Sequence, residues 1–337
     1  MILVTGGTGM LGAYLLLQLT QQNDKIYAIK RAQSSLQLTA KIFQHYLPDA
    51  NTYLNKIQWI NLDLVDDVDL DENLQNIDEI YHCAAQISYQ KKDTEQMIRN
   101  NQLITKNLVN ASLRNNISKF CFVSSIAALG DSIDNAEVNE KTIWVDTGKN
   151  SAYSISKYLS EMEVWRGIAE GLQAVIINPS IILGIGNWQS GSSQIFNTIY
   201  KGLKYYTLGT TGFVDAQDVA KIMIQLMQCP QCFQQSYIVN AENIQYKEIF
   251  HKIAKYLNVK PASIFANPTL SQIAWRWEFA KSLITRKNPL ITKQSAQIAH
   301  KNLQYSSQKL KDAIDFQYRK IDDSLQEYAA AFLKDKP

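Results

Sequence analysis

The sequence is poor in the residues that build disulfide-bonded or metal-dependent folds. Of its 337 residues, 4 are cysteine and 4 are histidine. Four cysteines are too few for disulfide bonds to be the main stabilisation of a chain of this length. The histidines are dispersed without ligand spacing, so we expect no metal site; they are His45, His82, His251 and His300.

Long apolar runs and a strong net charge are also missing. No stretch of about 20 apolar residues occurs, which predicts no membrane-spanning helix. Met1 leads directly into a strand-like run, so we expect no signal peptide and a cytoplasmic location. The formal net charge of +3 is too mild to indicate a nucleic-acid partner or an anionic membrane. These absences favour a small-molecule substrate.

Cys229 and Cys232 enclose a Pro-Gln pair and have the spacing of a redox or metal site. Because no second pair and no histidine lie nearby, we favour an inert turn after a helix. Cys83 and Cys121 fall in predicted core strands, where small apolar thiols are common.

What the sequence does contain, at its start, is a glycine-rich turn between a strand pattern and a helix pattern. Residues 2–4 predict a buried strand, and a leucine-rich helical pattern follows the turn. Gly6 suits a tight turn, Gly9 lets the backbone approach a diphosphate, and Gly12 allows close helix packing. The helix N-terminus would attract the phosphates. The alternative is a turn without a ligand. The expected contacts are Gly6, Thr8, Gly9, Met10, Leu11 and Gly12.

The first 180 residues alternate short strand patterns with helical ones. Strands are predicted at 25–29, 57–61, 80–83, 120–124 and 174–178, with helices at 10–21, 36–46, 95–115 and 152–170. This alternation predicts an α/β fold, a Rossmann-type doubly wound parallel sheet with helices on both faces. Residues 1–180, with about 212–240, would form the nucleotide-binding domain. Residues 181–211 and 241–337 would form a smaller, mainly helical substrate-binding lobe.

Tyr153 and Lys157 are four residues apart on a predicted helix and therefore share a face. An ammonium close to a phenol lowers the pKa of the phenol, which suits proton exchange near neutral pH. Ser125 ends a predicted buried strand and could donate a hydrogen bond to a substrate oxygen. Asn101 could hold a water against the lysine.

These segments together resemble the extended short-chain dehydrogenases/reductases, also called the NAD(P)-dependent epimerase/dehydratase family. The resemblance implies that Ser125, Tyr153 and Lys157 form the catalytic triad, assisted by Asn101. Ser125 is favoured over Ser124 because Gly130 then falls at the usual distance. The resemblance also implies further cofactor contacts. Asp63 and Leu64 would contact the adenine, and Pro179 and Ile182 would lie beside the nicotinamide. Ala84 and Ala85, after the fourth strand, and the catalytic Tyr153 and Lys157 would also contact the cofactor. Asn101 and Asn107 fit a family pattern in which Ile104 replaces a glycine.

The end of the second strand bears on the choice of cofactor. An NAD site usually has an acidic residue there, whereas a 2′-phosphate needs a cation. Here the strand ends in Lys30 and Arg31, while Asp24 precedes it. The guanidinium of Arg31 can bind phosphate through two N–H groups. The pattern predicts NADP as the cofactor, with NAD as the alternative. The interpretation without a ligand contact is that Lys30 and Arg31 are simply solvated.

The resemblance is closest to the branch of dihydroflavonol reductases and 3β-hydroxysteroid dehydrogenases, which implies reversible hydride transfer between NADP(H) and an external carbonyl or alcohol. The alternative is a nucleotide-sugar epimerase or dehydratase with bound NAD(P). Such enzymes usually bind the sugar diphosphate with arginines, which are scattered in the second lobe here. A third reading is a cofactor-sensing module. For the oligomeric state, the resemblance implies a homodimer as one alternative.

Residues 271–284 form an aromatic helical pattern. We favour a helix buried against the second lobe, because helical aromatic stripes are usually core. The alternatives are a lid over an apolar substrate and a surface that rests on a membrane or partner. Arg276 and Lys281 alone are too few to indicate an anionic membrane. The substrate stays unidentified, and residues near 87–92 and 186–196 are candidate walls of its site.

Overall fold

The computed structural model describes residues 1–66, 69–87, 93–130, 137–148, 150–285, 296 and 298–336, with the backbone alone for 279–285. The candidate wall at 88–92 therefore lies outside the described residues. The strands are β1 (Ile2–Thr5), β2 (Ile26–Lys30), β3 (Ile57–Asn61), β4 (Glu79–His82), β5 (Lys119–Val123), β6 (Ala174–Pro179), β7 (Ile181–Leu183), β8 (Tyr205–Tyr206), β9 (Thr210–Asp215), β10 (Gln235–Val239), β11 (Glu242–Gln245) and β12 (Ile264–Phe265).

Helices connect most of these strands. They are α1 (Met10–Gln22), α2 (Gln37–Tyr46), α3 (Ala50–Leu54), α4 (Leu70–Leu74), α5 (Thr94–Arg114), α6 (Ala152–Ala169), α7 (Gln194–Tyr200), α8 (Ala216–Met227), α9 (Tyr246–Tyr256), α10 (Pro268–Thr285), α11 (Gln308–Ala313) and α12 (Ile321–Lys334).

Seven parallel strands form the main sheet in the order β10-β6-β5-β4-β1-β2-β3. Successive side chains of a strand point to opposite faces. Val4 accordingly packs in the core cluster that includes α1 and α8, whereas Leu3 packs in the cluster that includes α5 and α6. Helices therefore cover both faces, and the predicted doubly wound fold is confirmed.

The predicted strands and helices of the first 180 residues all occur, with shifts of a few residues at their ends. Beyond them, β10 pairs with β6 and extends the main sheet. Strand β9, by contrast, pairs with β7 and β11 in a separate three-stranded sheet. The domain boundaries drawn from the sequence stay a prediction.

A buried carboxylate anchors the C-terminal helix α12 to the sheet. Asp215 is fully buried at the end of β9. It accepts hydrogen bonds from the hydroxyls of Ser324 at 2.5 Å and Tyr328 at 2.7 Å. It also accepts the backbone N–H of Gln217 at 2.7 Å and so caps α8. These bonds fix α12 to the end of β9 and to the start of α8.

Two expectations outside the site need correction. Cys229 and Cys232 lie in the expected turn after a helix, but they form a disulfide. A 3₁₀ turn brings their Cα atoms to 5.4 Å, within the range for a disulfide.

The aromatic helix α10 is not buried as favoured from its sequence. The side chains of Ile273 and Trp277 are 60% and 73% exposed. An apolar stripe shows that a helix has an apolar face, but the surrounding chain decides what covers it. Among the described residues, no helix has the length and apolar character needed to cross a membrane.

Candidate active site

The glycine-rich turn between β1 and α1 brings backbone atoms into close contact. Gly6 has a φ of +72°, and a Cβ atom there would lie 2.6 Å from the backbone nitrogen of Ala84. A Cβ atom on Gly12 would lie 2.2 Å from the carbonyl oxygen of Gly6. Both positions therefore require glycine, one for its backbone conformation and both for space.

The same turn fits the diphosphate of a dinucleotide. Gly9 is the N-cap of α1 and provides no side-chain hydrogen bond to the first helical turn. The first N–H groups of a helix have no partner within the helix, and together with the helix dipole they attract anions. A Cβ atom on Gly9 would have one neighbour, the Gly6 carbonyl oxygen at 3.3 Å. The lack of a side chain at this position therefore leaves space for a diphosphate, whereas a Cβ atom here would cause no severe clash within the protein.

The adenine side of the expected site is formed by the ends of β2 and β3. Arg31 follows β2 and is exposed, as the sequence analysis required for a phosphate contact. Asp63 is exposed and accepts the backbone N–H of Val65 at 3.1 Å. Leu64 is buried, and its carbonyl accepts a hydrogen bond from the amide of Asn107 at 3.1 Å. Asn107 thus holds the loop after β3 in place.

A buried hydrogen-bond chain supports the loop after β4. The hydroxyl of Thr5 accepts the backbone N–H of Ala84 at 3.2 Å and lies 2.7 Å from Nδ1 of His82. Nε2 of His82 lies 3.1 Å from the hydroxyl of Thr105, which donates to the carbonyl of Asn101. Burial, with the charge of Lys157 as a smaller cause, lowers the pKa of His82 to about 3. A neutral imidazole therefore links β1, β4 and α5.

Asn101 holds the loop that lines the expected cofactor site. Its side-chain oxygen accepts the backbone N–H of Gln86 at 2.7 Å. Its side-chain nitrogen donates to the Gln86 carbonyl at 2.9 Å and to the Ser156 hydroxyl at 3.3 Å. The structure thus places Asn101 between this loop and α6, and the expected role in a proton relay stays a prediction.

The two serines at the end of β5 have different environments. Ser124 is 3% exposed and donates to the carboxylate of Glu161 at 2.5 Å. Ser125 is half-buried, and its hydroxyl oxygen accepts the backbone N–H of Ala127 at 3.1 Å, which leaves its O–H as a donor. This geometry supports Ser125, rather than Ser124, as the residue that meets a substrate.

The N-terminus of α6 packs on the turn that contains Ser125. Ser154 donates to the carbonyl of Ala127 at 2.5 Å, and the side chain of Asn178 donates to the carbonyl of Ser125 at 3.2 Å. Tyr153 is half-buried in the first turn of α6, beside this contact. Pro179 ends β6 and Ile182 lies in β7, which follows directly.

Lys157 is deeply buried beneath the site. Its side chain is 5% exposed, and Nζ donates to the carbonyl of Val123 at 2.8 Å. Burial lowers the pKa of Lys157 to about 8, and negative charge at Cys83 or Glu161 opposes this shift. Burial also raises the pKa of Cys83 to about 12, so that thiol is uncharged near neutral pH. Glu161 is therefore the group whose negative charge stabilises the protonated form of Lys157.

Glu161 is a site residue that the sequence analysis missed. It lies one helical turn beyond Lys157 and is 6% exposed. Its carboxylate accepts hydrogen bonds from Ser124, from Asn178 at 2.9 Å and from Trp165 at 3.2 Å. Three donors satisfy an ionised carboxylate, although burial raises its pKa. The signal in the sequence is a second interval of four after Tyr153 and Lys157.

We expect Glu161→Gln to lower the pH at which activity is lost on the alkaline side. Lys157 loses its proton as the pH rises through about 8, and the lost carboxylate charge makes the ammonium less stable. The midpoint of the alkaline limb of kcat/KM should therefore fall by about one pH unit.

The matched control is Glu163→Gln on the same helix, since Glu163 is half-buried and pairs with Arg166 at 3.0 Å. Its pH profile should equal that of the wild type. An alkaline limb in Glu161→Gln that stays in place, or moves to higher pH, would show that Glu161 does not act on the lysine.

Sequence comparison agrees with this geometry over most of the chain. The model of the NAD dependent epimerase/dehydratase family matches residues 2–241, which include the glycine-rich turn and the whole of α6. The chain belongs to the NAD dependent epimerase/dehydratase family. The resemblance to extended short-chain dehydrogenases/reductases is thereby confirmed.

The members of this family to which the chain is similar include named reductases and dehydrogenases. One, from Synechocystis sp., carries the name of a dihydroflavonol 4-reductase; it is 27% identical over 91% of this chain and 87% of its own length. Another, from Dictyostelium discoideum, is named sterol-4-alpha-carboxylate 3-dehydrogenase, decarboxylating; it is 22% identical over 91% of this chain and 93% of its own length. The expected NAD(P)-dependent oxidoreductase is confirmed at the level of the family and these names.

A solved structure shares the fold over its whole length. The crystal structure of gox2253 superposes with a TM-score of 0.82 at 24% identity, covering 99% of this chain and 98% of that one. This similarity extends beyond residue 241 and so includes the C-terminal helices of the second lobe.

Proposed function

We propose that this chain transfers hydride between NADP(H) and the carbonyl or hydroxyl carbon of an external small molecule. The observation that supports the proposal is the packing of α6 on the end of β5: Ser154, which follows Tyr153, donates to the carbonyl of Ala127 near Ser125, and the buried Lys157 donates to the carbonyl of Val123. This end of the sheet also holds the glycine-rich turn, because Thr5 of β1 is in register with His82 of β4. Ligands of such sheets bind at the carboxyl ends of the strands.

The cofactor, when bound, supplies or accepts the hydride. The side chains of this chain would transfer the proton and form hydrogen bonds to the substrate oxygen. In the direction of reduction Tyr153 would donate its phenolic proton to the developing alkoxide. Ser125 would donate a hydrogen bond to the same oxygen and polarise the carbonyl. The ammonium of Lys157 would favour the phenolate and bind the ribose of the nicotinamide.

The preference for NADP over NAD rests on Arg31. It is exposed at the end of β2 and follows Lys30, so two cationic residues adjoin the strand end at which a 2′-phosphate is expected. An acidic residue in this place would repel the phosphate. The remaining contacts proposed from the sequence, from Gly6 to Gly12 and at Asp63, Leu64, Ala84 and Ala85, lie along the carboxyl ends of β1, β3 and β4.

Arg31→Ala should reduce the selectivity for NADPH over NADH about tenfold or more. The variant loses a charged two-pronged contact to the 2′-phosphate while the contacts shared by both cofactors remain. Dissociation constants for the two cofactors, measured by quenching of tryptophan fluorescence, give the ratio directly.

The control for Arg31→Ala is Arg114→Ala, which removes an exposed arginine paired with Asp71 far from β2. This variant should keep the wild-type ratio. A wild-type protein that prefers NADH, or an Arg31→Ala variant with unchanged selectivity, would contradict the proposed role of Arg31.

An external carbonyl is favoured over a nucleotide sugar for two reasons. The relatives named above are reductases and dehydrogenases. The sequence also has no arginine between Arg166 and Arg276, the stretch that contains β7 to β9 and much of the second lobe, whereas a sugar diphosphate calls for cationic contacts.

The test of function is NADPH consumption with a panel of ketones and aldehydes, monitored at the absorbance of the reduced nicotinamide. Turnover of at least one carbonyl with stoichiometric NADP⁺ formation is the expected result. Conversion of a nucleotide sugar without net cofactor consumption would instead identify an epimerase or dehydratase. Tight NADPH binding without turnover of any substrate would identify a sensor. A cytoplasmic location and a homodimer stay predictions.

A further inference from the structure

Exposed apolar side chains are concentrated in one part of the second lobe. Among the described residues, thirteen large hydrophobic side chains are exposed. Seven of them lie in three short segments, 205–208, 264–277 and 298. They are Tyr205, Leu208, Ile264, Phe265, Ile273, Trp277 and Ile298, and we refer to these seven residues as the lobe surface.

Backbone pairing brings the three segments together. Strand β12 pairs with β8, so that Ile264 and Tyr205 are in register and share a face. Helix α10 begins at Pro268, directly after β12, and Ser271 in its first turn is hydrogen-bonded to His300 at 2.9 Å. The backbone at 299–301 in turn pairs with the backbone at 209–210. The lobe surface is therefore a tertiary feature assembled from distant segments.

Among the seven residues of the lobe surface, the two with the largest exposed fractions lie on α10. Ile273 and Trp277 are four residues apart and lie on the same side of the helix, and they are 60% and 73% exposed. Single exposed apolar residues are common on protein surfaces, but a group of this kind marks a contact with something else. The backbone of the same helix continues to Thr285.

Positive charge accompanies the apolar side chains. The sequence 257–303 contains seven lysines and arginines and one acidic residue, Glu278, although the whole chain has a net charge of only +3. The exposed cations among the described residues of this region and of the neighbouring segment 198–211 are Lys201, Lys204, Lys260, Arg276 and Lys301. Segment 198–211 has no acidic residue.

We propose that the lobe surface docks the protein on the surface of an anionic lipid bilayer. Exposed tryptophan, tyrosine and aliphatic side chains enter the boundary between headgroups and acyl chains, and surrounding lysines bind anionic headgroups. Because no described helix is suited to cross a membrane, the protein lies on the bilayer. The exposed cations lie within or beside the same three segments as the apolar side chains, the combination that contact with an anionic lipid surface requires. The proposal does not depend on the proposed hydride transfer.

The test is co-sedimentation of the full-length protein with vesicles. One set contains phosphatidylcholine alone, and the other contains phosphatidylcholine with about 30% phosphatidylglycerol. We expect binding to the anionic vesicles that weakens as salt is raised. The double variant I273A/W277A should bind about tenfold or more weakly, because it lacks the two most exposed apolar side chains of the lobe surface.

The matched control is Ile143→Ala, which removes an isoleucine that is 80% exposed outside the lobe surface and should leave vesicle binding unchanged. Circular dichroism and NADPH binding verify that each variant is folded. The proposal fails if the wild type does not bind anionic vesicles at low salt, or if I273A/W277A binds them as well as the wild type. It also fails if light scattering shows a dimer that these two substitutions dissociate, since the surface would then bind a second copy of the chain.

Discussion

Replacing Tyr153 with phenylalanine should lower kcat for carbonyl reduction by about 10²- to 10⁴-fold, while NADPH still binds. The substitution removes one hydroxyl, and proton transfer by a positioned side chain contributes a rate factor of this size. Tyr153 lies in the first turn of α6, next to Ser154, which contacts the turn that holds Ser125, so the phenol is the proton donor proposed for the substrate oxygen. The fold should be unaffected, because Tyr153 is only half-buried.

The measurement is steady-state NADPH oxidation with the best substrate from the carbonyl panel, together with NADPH titration of each protein. Tyr158→Phe is the matched control, because Tyr158 is a half-buried tyrosine on the same helix whose ring stacks on Trp144 at 4.0 Å. It should retain near wild-type kcat. Equal rates for Tyr153→Phe and the wild type would remove Tyr153 from the mechanism. A loss of NADPH affinity with an unchanged kcat at saturating NADPH would assign it to binding alone.

Gly12→Ala is expected to abolish NADPH binding and to lower the free energy of unfolding by about 2 to 4 kcal/mol. The added Cβ would lie 2.2 Å from the carbonyl oxygen of Gly6 and 2.7 Å from its carbonyl carbon. Backbone atoms of a tight turn cannot yield as the end of a flexible side chain can. The turn must move away from α1, and the N–H groups that would bind the diphosphate lose their arrangement.

Gly9→Ala separates cofactor binding from folding. A Cβ at this position would lie 3.3 Å from the Gly6 carbonyl oxygen, so the free energy of unfolding should change by less than about 1 kcal/mol. NADPH affinity should nevertheless fall, because the methyl group would occupy space that the diphosphate needs. Urea unfolding and NADPH titration of both variants provide the comparison. A stable Gly12→Ala variant that binds NADPH normally would show that the turn is not the cofactor site.

Much of the Rossmann part was predictable because its signals are local. The run before Gly6 is apolar because a parallel strand is buried on both faces, and Leu3 and Val4 indeed pack in different core clusters. The interval of four between Tyr153 and Lys157 places both residues on one side of α6. Such patterns depend on neighbours within a few residues, which the sequence displays directly.

Features that depend on distant segments were missed or misjudged. Glu161 is significant because Ser124 at the end of β5 and Asn178 in β6 donate to its carboxylate, and a sequence does not show which strand ends face a helix. The environment of Asn101 is likewise set by the loop at Gln86. One local feature was misjudged as well: the disulfide between Cys229 and Cys232 depends on the backbone geometry of a 3₁₀ turn, which the residue types alone do not determine.

The sequence by itself determined the fold class, and it located the turn and the helix that we propose for the cofactor and the catalysis, because periodicity, glycine placement and the interval between Tyr153 and Lys157 are visible in consecutive residues. Only the tertiary structure decided which side chains are covered. It buried Lys157 and Glu161 together beneath the site, and it left Trp277 exposed on a helix whose apolar stripe suggested burial. Burial is a property of the assembled chain, since the atoms that exclude water from a residue come mostly from segments far away in the sequence.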